Sequence, residues 1–260
     1  KHVYFGSSAD DQVHCLDFNS GEERWSFFTE GPVRFAPTLH DGRLFVGSDD
    51  GHAYCLSTDG KYIWKKLLAP RDYRIAGNNR IISAWPLRTG ILVRDGIAYA
   101  GAGMFPKEQV YLMALDSVNG ELKWREGQKE WPAQGYLLLS ESRVFVPTGR
   151  SNPIVYNRNN HERDKGAEKA LAGTRDAFTL IKWNGKSQPN PRQSGRVLGS
   201  VEGEKQDSFA TFTGNHMIVA DGKSYLQANG ELSVLDRMRY RKLLPVYQAQ
   251  AKKEAGLKKE

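Results

Sequence analysis

The feature that most constrains this chain is a unit of three short strands and two tight turns that returns along its length. It is most legible from Asp41 to Trp64, which reads Asp-Gly-Arg-Leu-Phe-Val-Gly-Ser-Asp-Asp-Gly-His-Ala-Tyr-Cys-Leu-Ser-Thr-Asp-Gly-Lys-Tyr-Ile-Trp. Asp41-Gly42 supplies the two positive-φ residues of a type I′ hairpin turn. Leu44, Val46, Ala53 and Cys55 alternate at period two, the spacing of strands with one face on a core. Asp49-Asp50-Gly51 turns the chain again, Thr58-Asp59-Gly60 makes the last turn, and Trp64 closes the unit. Gly-x-x-x-Trp recurs at Gly21 to Trp25, Gly60 to Trp64 and Gly120 to Trp124. Asp-Gly followed by an aromatic recurs at Asp41 to Phe45, Asp95 to Tyr99 and Asp221 to Tyr225. Leu-Asp precedes the last turn at Leu16, Leu115 and Leu235, with Leu56-Ser57 as a variant. The Asp-Gly pair makes a hairpin, the aromatic faces the core, and the Trp gives each sheet a large surface to press on its neighbour.

Lettering the strands A to D within each unit, the chain opens in strand B: Val3 to Ser7 is B, Val13 to Phe18 is C, Glu23 to Phe27 is D. The second unit is complete, with A at Arg34 to Leu39, B at Arg43 to Gly47, C at His52 to Leu56 and D at Tyr62 to Leu67. The third runs from A at Leu87 to Val93 through D at Glu121 to Arg125. The fourth has A at Tyr136 to Leu139, B at Val144 to Pro147 and C at Pro153 to Tyr156, and its end is eroded. A polar insertion covers about 157–208, with a short helix, a strand at Ala177 to Trp183 and a Pro/Gly/Ser-rich loop through Gly203. The last unit has strands at His216 to Ala220, Ser224 to Gln227 and Glu231 to Leu235. Four-stranded antiparallel units of about 40 to 50 residues stack radially as a β-propeller. The expected fold is therefore all-β: a partial or open propeller of about four to five blades over 1–236, then a basic helical tail or linker over 237–260. Leu243, Leu244 and Tyr247 are placed to dock that helix, and the Lys-rich end beyond Lys252 is expected to be loose. The first unit lacks A and the last lacks D, so we expect either an open ring or a chain cut from a longer protein.

The net charge of +7 does not point to nucleic acid, because it is concentrated at one end. From Arg237 onward there are eight Lys/Arg and two Asp/Glu, leaving 29 basic and 28 acidic side chains in the first 236 residues. No apolar run approaches the length of about 18 residues that a membrane span needs. The chain begins Lys-His-Val-Tyr-Phe-Gly, without Met or an apolar signal region, so any targeting segment is expected to lie outside it. Cys15 and Cys55 occupy equivalent repeat positions 40 residues apart, too distant on neighbouring blades for a disulfide, and are expected to be buried thiols. The six histidines show no metal-ligand spacing. No phosphate loop, nucleophile elbow or zinc motif is present.

Ala114-Leu-Asp-x-x-x-Gly-Glu-x-x-Trp124 resembles the repeat of the pyrroloquinoline-quinone (PQQ) family of propellers, as do Cys15 to Trp25 and Cys55 to Trp64. Gly31 to Pro37, Asn79 to Pro86 and Gly149-Arg150-Ser151 resemble large bacterial quinone-binding-like propellers. The resemblance implies one of two functions. Quinoprotein dehydrogenases oxidise alcohols or sugars with PQQ and calcium or a similar metal. Scaffold members bind proteins and catalyse nothing. It also implies a periplasmic, cell-envelope or secreted location. Many dehydrogenases of this kind carry adjacent cysteines near the cofactor; this chain has no Cys-Cys pair and no matching metal-binding or catalytic carboxylate motif.

In this strand order the D-to-A and B-to-C loops open on one face. The long D-to-A loop from Leu68 to Pro86 carries Arg71, Asp72, Arg74, Asn78, Asn79, Arg80 and Trp85; B-to-C loops add Met104, Phe105, Pro106 and Lys107, and Arg150, Ser151 and Asn152. Such a basic rim with aromatics suits a carboxylate-rich small molecule or an acidic polymer, PQQ itself being a tricarboxylate. The bland alternative is that long loops expose Arg and Asn to water. The residues expected to gather at the channel mouth are Arg34, Arg74, Arg80, Arg88 and Arg150. The leading function is a ligand- or protein-binding module without a complete catalytic set, and the alternative is part of a quinoprotein dehydrogenase.

Overall fold

The computed structural model of the chain describes residues 1–77, 79–139, 142–148 and 153–168, seven strand segments between 181 and 236, and isolated tail positions up to 256. The first sheet is β1 (His2–Gly6), β2 (Gln12–Asp17) and β3 (Glu23–Phe28). The second is β4 (Thr38–His40), β5 (Arg43–Gly47), β6 (His52–Ser57) and β7 (Tyr62–Leu67), antiparallel in chain order. Before the third sheet come a hairpin, β8 (Arg74–Gly77) with β9 (Arg80–Ser83), and a short strand, β10 (Thr89–Gly90). The third sheet is β11 (Leu92–Arg94), β12 (Ile97–Ala102), β13 (Val110–Asp116) and β14 (Leu122–Gln128). After β15 (Gly135–Tyr136), which pairs in parallel with β10, the fourth is β16 (Leu138–Leu139), β17 (Arg143–Val146) and β18 (Ile154–Asn157). These sheets are blades of an open, partial β-propeller.

The core lies between blades. Val13 of the first sheet meets Val46 and Tyr54 of the second. Phe45, Cys55 and Trp64 meet Ala98, Ala100 and Met113 of the third. Tyr99, Leu112 and Ala114 meet Val144, Val146 and Tyr156 of the fourth. Strands covered on both faces lose the alternation of a half-exposed strand; Leu44 to Gly47 are all buried, whereas the outer strand β3 alternates.

The three repeat tryptophans occupy one structural position. Trp25 pairs with Cys15, Trp64 with Cys55 and Trp124 with Ala114, and each pair sits beside a register shift. Each ring presses on the last turn of the following blade. Trp25 Nε1 donates to the Thr58 carbonyl at 3.1 Å, and Trp64 Nε1 to that of Ser117 at 3.3 Å. A Cβ at Gly60 or Gly120 would lie 2.6 or 2.8 Å from the facing indole, so glycine is required there for contact as well as for φ. Trp64 is buried and the other two half-buried.

The eroded end of the fourth unit proves to be the same turn with other residues. His161, at φ 66°, stands where Gly120 stands at 73°, and its N–H donates to the Asn157 carbonyl as that of Gly120 does to Asp116. Trp124 stacks on the His161 ring at 4.6 Å. Arg163 then bridges back to Tyr156 as the remnant of strand D.

The Arg74–Ser83 hairpin replaces an unstructured loop. In the polar insertion, helix α1 (Lys165–Glu168) is present and β19 (Ile181–Trp183) falls within the expected strand, but β20 (Lys186–Gln188) and β21 (Leu198–Glu202) stand where a loop through Gly203 is expected, and β22 (Lys205–Ala210) completes a four-stranded sheet with them. Strands as polar as Lys-Ser-Gln give no apolar alternation to read. The last sheet is β23 (His216–Ala220), β24 (Lys223–Ala228) and β25 (Glu231–Asp236). In the tail the described positions are helical; Leu243 is partly buried, Tyr247 is exposed rather than docked, and Leu244 lies outside the described residues. Both cysteines are free and buried, and burial pushes the Cys55 thiol up to about 11. No described helix is long and apolar enough to cross a membrane.

Candidate functional site

The B-to-C turn of the second blade, Ser48 to Gly51, is fully buried, which is unusual for a turn carrying two aspartates. Two other segments converge on it. From the loop before β4, the Pro32 carbonyl accepts the Asp49 N–H at 2.9 Å and the Gly31 carbonyl accepts the Ser48 hydroxyl at 3.0 Å. From the end of β9, Ser83 N–H donates to the Asp49 carbonyl at 2.7 Å, and from the loop after it Leu87 N–H donates to that of Ser48 at 3.1 Å. The Asp50 carboxylate accepts from His52 N–H at 2.8 Å and from the Tyr54 hydroxyl. Burial pushes the Asp50 carboxyl up, but the bonds from His52 and Tyr54 outweigh it and hold the group below the usual carboxylate range. Burial and the adjacent charge push the Tyr54 phenol up.

Asp49 is the centre of this node. Its carboxylate accepts Arg34 Nε at 2.6 Å, Arg88 Nε at 2.9 Å and Arg88 Nη2 at 2.9 Å. Both guanidiniums are partly buried, and Asp49 is wholly so. Charge-assisted bonds of this geometry are the strong kind, and they compensate a carboxylate buried away from water. Beside the node, Phe35 meets Tyr136 edge-on at 4.9 Å, and the Tyr136 hydroxyl accepts Ala36 N–H at 3.1 Å. The loops of blades far apart in sequence are thereby tied together.

The arginines expected at one mouth thus fall into separate sets. Arg34 and Arg88 come together on Asp49. Arg74 pairs with Asp72 at 2.8 Å and Glu30 at 3.1 Å. Arg80 pairs with Asp11 at 3.0 Å and also donates to that carboxylate's second oxygen at 3.1 Å. These last two strap the β8–β9 hairpin onto the first blade. Arg150 lies outside the described residues. Trp85 is buried rather than on the rim; its Nε1 donates to the carbonyls of Glu108 at 2.9 Å and Gln109 at 3.0 Å.

Away from the centre, the same face holds a groove of about 500 Å³ between the hairpin and the turn Pro106–Glu108. Tyr73, Ile75, Ala84, Phe105 and Pro106 form its apolar wall, with Lys107 and Glu108 at its margin. Tyr73 and Phe105 are half-exposed, as is Trp131 in the next D-to-A loop, and Ile81 on the hairpin is 68% exposed. Phe105, Pro106 and Lys107 are legible on this face from the sequence, whereas Tyr73 and Ile75 are brought into line only by the hairpin. Among the described residues, no group of three or more His, Cys, Asp or Glu side chains is placed to hold a metal ion.

Residues 1–85 match the family model PQQ_2, outer membrane protein assembly factor BamB. A curated relative, 1-butanol dehydrogenase (cytochrome c) of Thauera butanivorans, is 32% identical over 85 residues, which is 27% of this chain and 12% of that protein. The chain thus matches only a small part of that relative's length. Among solved structures, BamB from Moraxella catarrhalis superposes with a TM-score of 0.50 at 12% identity, over 90% of this chain and 81% of that one. The computationally designed Ika8 protein superposes with a TM-score of 0.55 at 12% identity, over 90% of this chain and 67% of that one. At such identity these likenesses concern the fold.

Proposed function

We propose that this chain, a β-propeller protein of the PQQ-repeat type, is a binding module that recruits a polypeptide partner through its D-to-A and B-to-C loops. The observation that carries this reading is the contrast between a closed centre and an open flank on that face. At the centre, Arg34 and Arg88 are spent on Asp49. A tricarboxylate such as the quinone needs cations free to take it, so this residue set fits it poorly. On the flank, exposed apolar side chains are rimmed by charge, the pattern of a protein contact site. The name of the matched family, an assembly factor, agrees with this reading.

A second reading, part of a quinoprotein dehydrogenase, is favoured by the local identity to the butanol dehydrogenase. Adding PQQ, Ca²⁺, 1-butanol and a redox dye separates the two. The binding-module reading expects no bound-quinone absorbance and no dye reduction. It also expects a photoreactive side chain at Ile81 to capture a polypeptide that the same group at Val118, in a C-to-D turn on the opposite face, does not. Quinone-dependent dye reduction would transfer the assignment to the dehydrogenase, and equal capture at both positions would remove the loop face from it.

A further inference from the structure

Resting on that reading, we propose that the groove beside the Arg74–Ser83 hairpin takes a large apolar side chain from an extended polypeptide segment flanked by acidic residues. The groove's volume of about 500 Å³ is ample for one buried anchor and its neighbouring backbone. Its wall is apolar, and Tyr73 and Phe105 hold aromatic surface half in water from opposite sides. An apolar anchor entering between them removes that surface from solvent.

The charge around the groove selects the flanks. The Arg71 guanidinium lies 4.9 Å from the Tyr73 ring centre, and neither it nor Lys107 has a carboxylate partner among the described residues. The acids nearest the hairpin are already taken, Asp72 by Arg74 and Glu30 by Lys65 and Arg74. Glu108 is the opposing charge at the margin, which leaves two unpaired cations against one anion. A segment with carboxylates beside its anchor answers that excess, and one with lysines meets repulsion.

The walls are fixed before anything binds. Arg80 on Asp11 and Arg74 on Glu30 hold the hairpin, and Trp85 Nε1 on the Glu108 and Gln109 carbonyls holds the opposite lip. A preformed groove spares the ordering cost of binding.

The test is fluorescence anisotropy on the intact chain, using a labelled short extended peptide with one Phe between two Asp. Controls are the same peptide with Lys for Asp, and with Gly for Phe. The Asp–Phe–Asp peptide should bind, and each control should bind at least about tenfold more weakly. Phe105→Asp should weaken binding by about tenfold or more, and Lys107→Glu by about threefold, with melting unchanged. Equal binding of the Lys and Asp peptides, equal binding to Phe105→Asp, or no binding by any peptide would overturn the proposal. If no peptide binds while Ile81 still captures a polypeptide, this groove fails and the loop-face reading stands; if capture fails too, both fall.

Discussion

Asp49 shows how one side chain in a turn can set the geometry of three loops. It is 0% exposed, its backbone holds the loops on either side, and its carboxylate holds Arg34 and Arg88. Removing one partner of such a set strands the others. Asp49→Ala should therefore cost about 3 kcal/mol or more in chemical denaturation, because two guanidiniums lose their counter-charge. Asp49→Asn keeps acceptor capacity and should cost less. A loss under about 1 kcal/mol for Asp49→Ala would mean that the arginines relax into water. His14 carries a different signature. Its Nδ1 lies 2.6 Å from Glu23 and its Nε2 2.9 Å from Asp10, and a ring bonded to carboxylates at both nitrogens must be protonated. Partial burial pushes its pKa down, but the bonds to Glu23 and Asp10 outweigh it, and the net direction is upward from 6.5. A raised folded value means the contribution to stability is fully present below pH 6.5 and is lost as pH climbs through the folded value. The stability difference between this protein and His14→Gln should shrink along that climb; a difference that grows with pH would refute the double bridge.

The hairpin β8–β9 is the element on which the loop face depends, and it is held by side chains rather than by a wider sheet. An isolated two-stranded hairpin is marginal in water, so its straps decide whether it stays in place. Arg80→Ala removes the bonds to Asp11 and to the Ala9 carbonyl. Because Arg80 is about one-third exposed, global stability should fall by only about 1 kcal/mol. Hydrogen exchange at Ile81 and Ile82 should accelerate far more than in β12 and β13, since the opening is local. Uniform acceleration would show the hairpin to be an integral part of the blades. The repeat was legible in the sequence because Asp-Gly, Leu-Asp and Gly-x-x-x-Trp are local patterns, each tied to one turn or one ring. The node at Asp49 was not, because its arginines lie 15 and 39 residues away and only the convergence of loops brings them in. The fourth turn hid because Asn157 and His161 replace Asp and Gly while keeping the same bonds. The hairpin left one faint trace, Asn78-Asn79 between Ile75 and Ile81, which is the turn chemistry that a positive φ at Asn79 requires.

At the scale of the whole molecule, the blades are unequal at their inner edges. In the second and third sheets the edge of the B strand is covered by an inner strand, β4 on β5 and β11 on β12. In the first sheet β1 occupies that edge itself, and among the described residues no strand pairs with its far side. A row of unpaired backbone groups is a template for strand addition, and natural edges are protected by charge, proline, bulges or a covering element. Along β1 the exposed side chains include Val3 at 41% and Phe5 at 39%, neither of which discourages pairing. The outer strand β3 also exposes Phe28, but it presents the charged pair Glu23 and Arg24 at its start. The chain by itself should therefore self-associate as its concentration rises, through β1 rather than through β3. Sedimentation velocity over a concentration series should show this, and Val3→Lys should shift the distribution toward monomer while the circular dichroism of the blades stays unchanged. A chain that is monomeric at every concentration, or a Val3→Lys variant that associates as strongly as the parent, would mean that the edge of β1 is already satisfied.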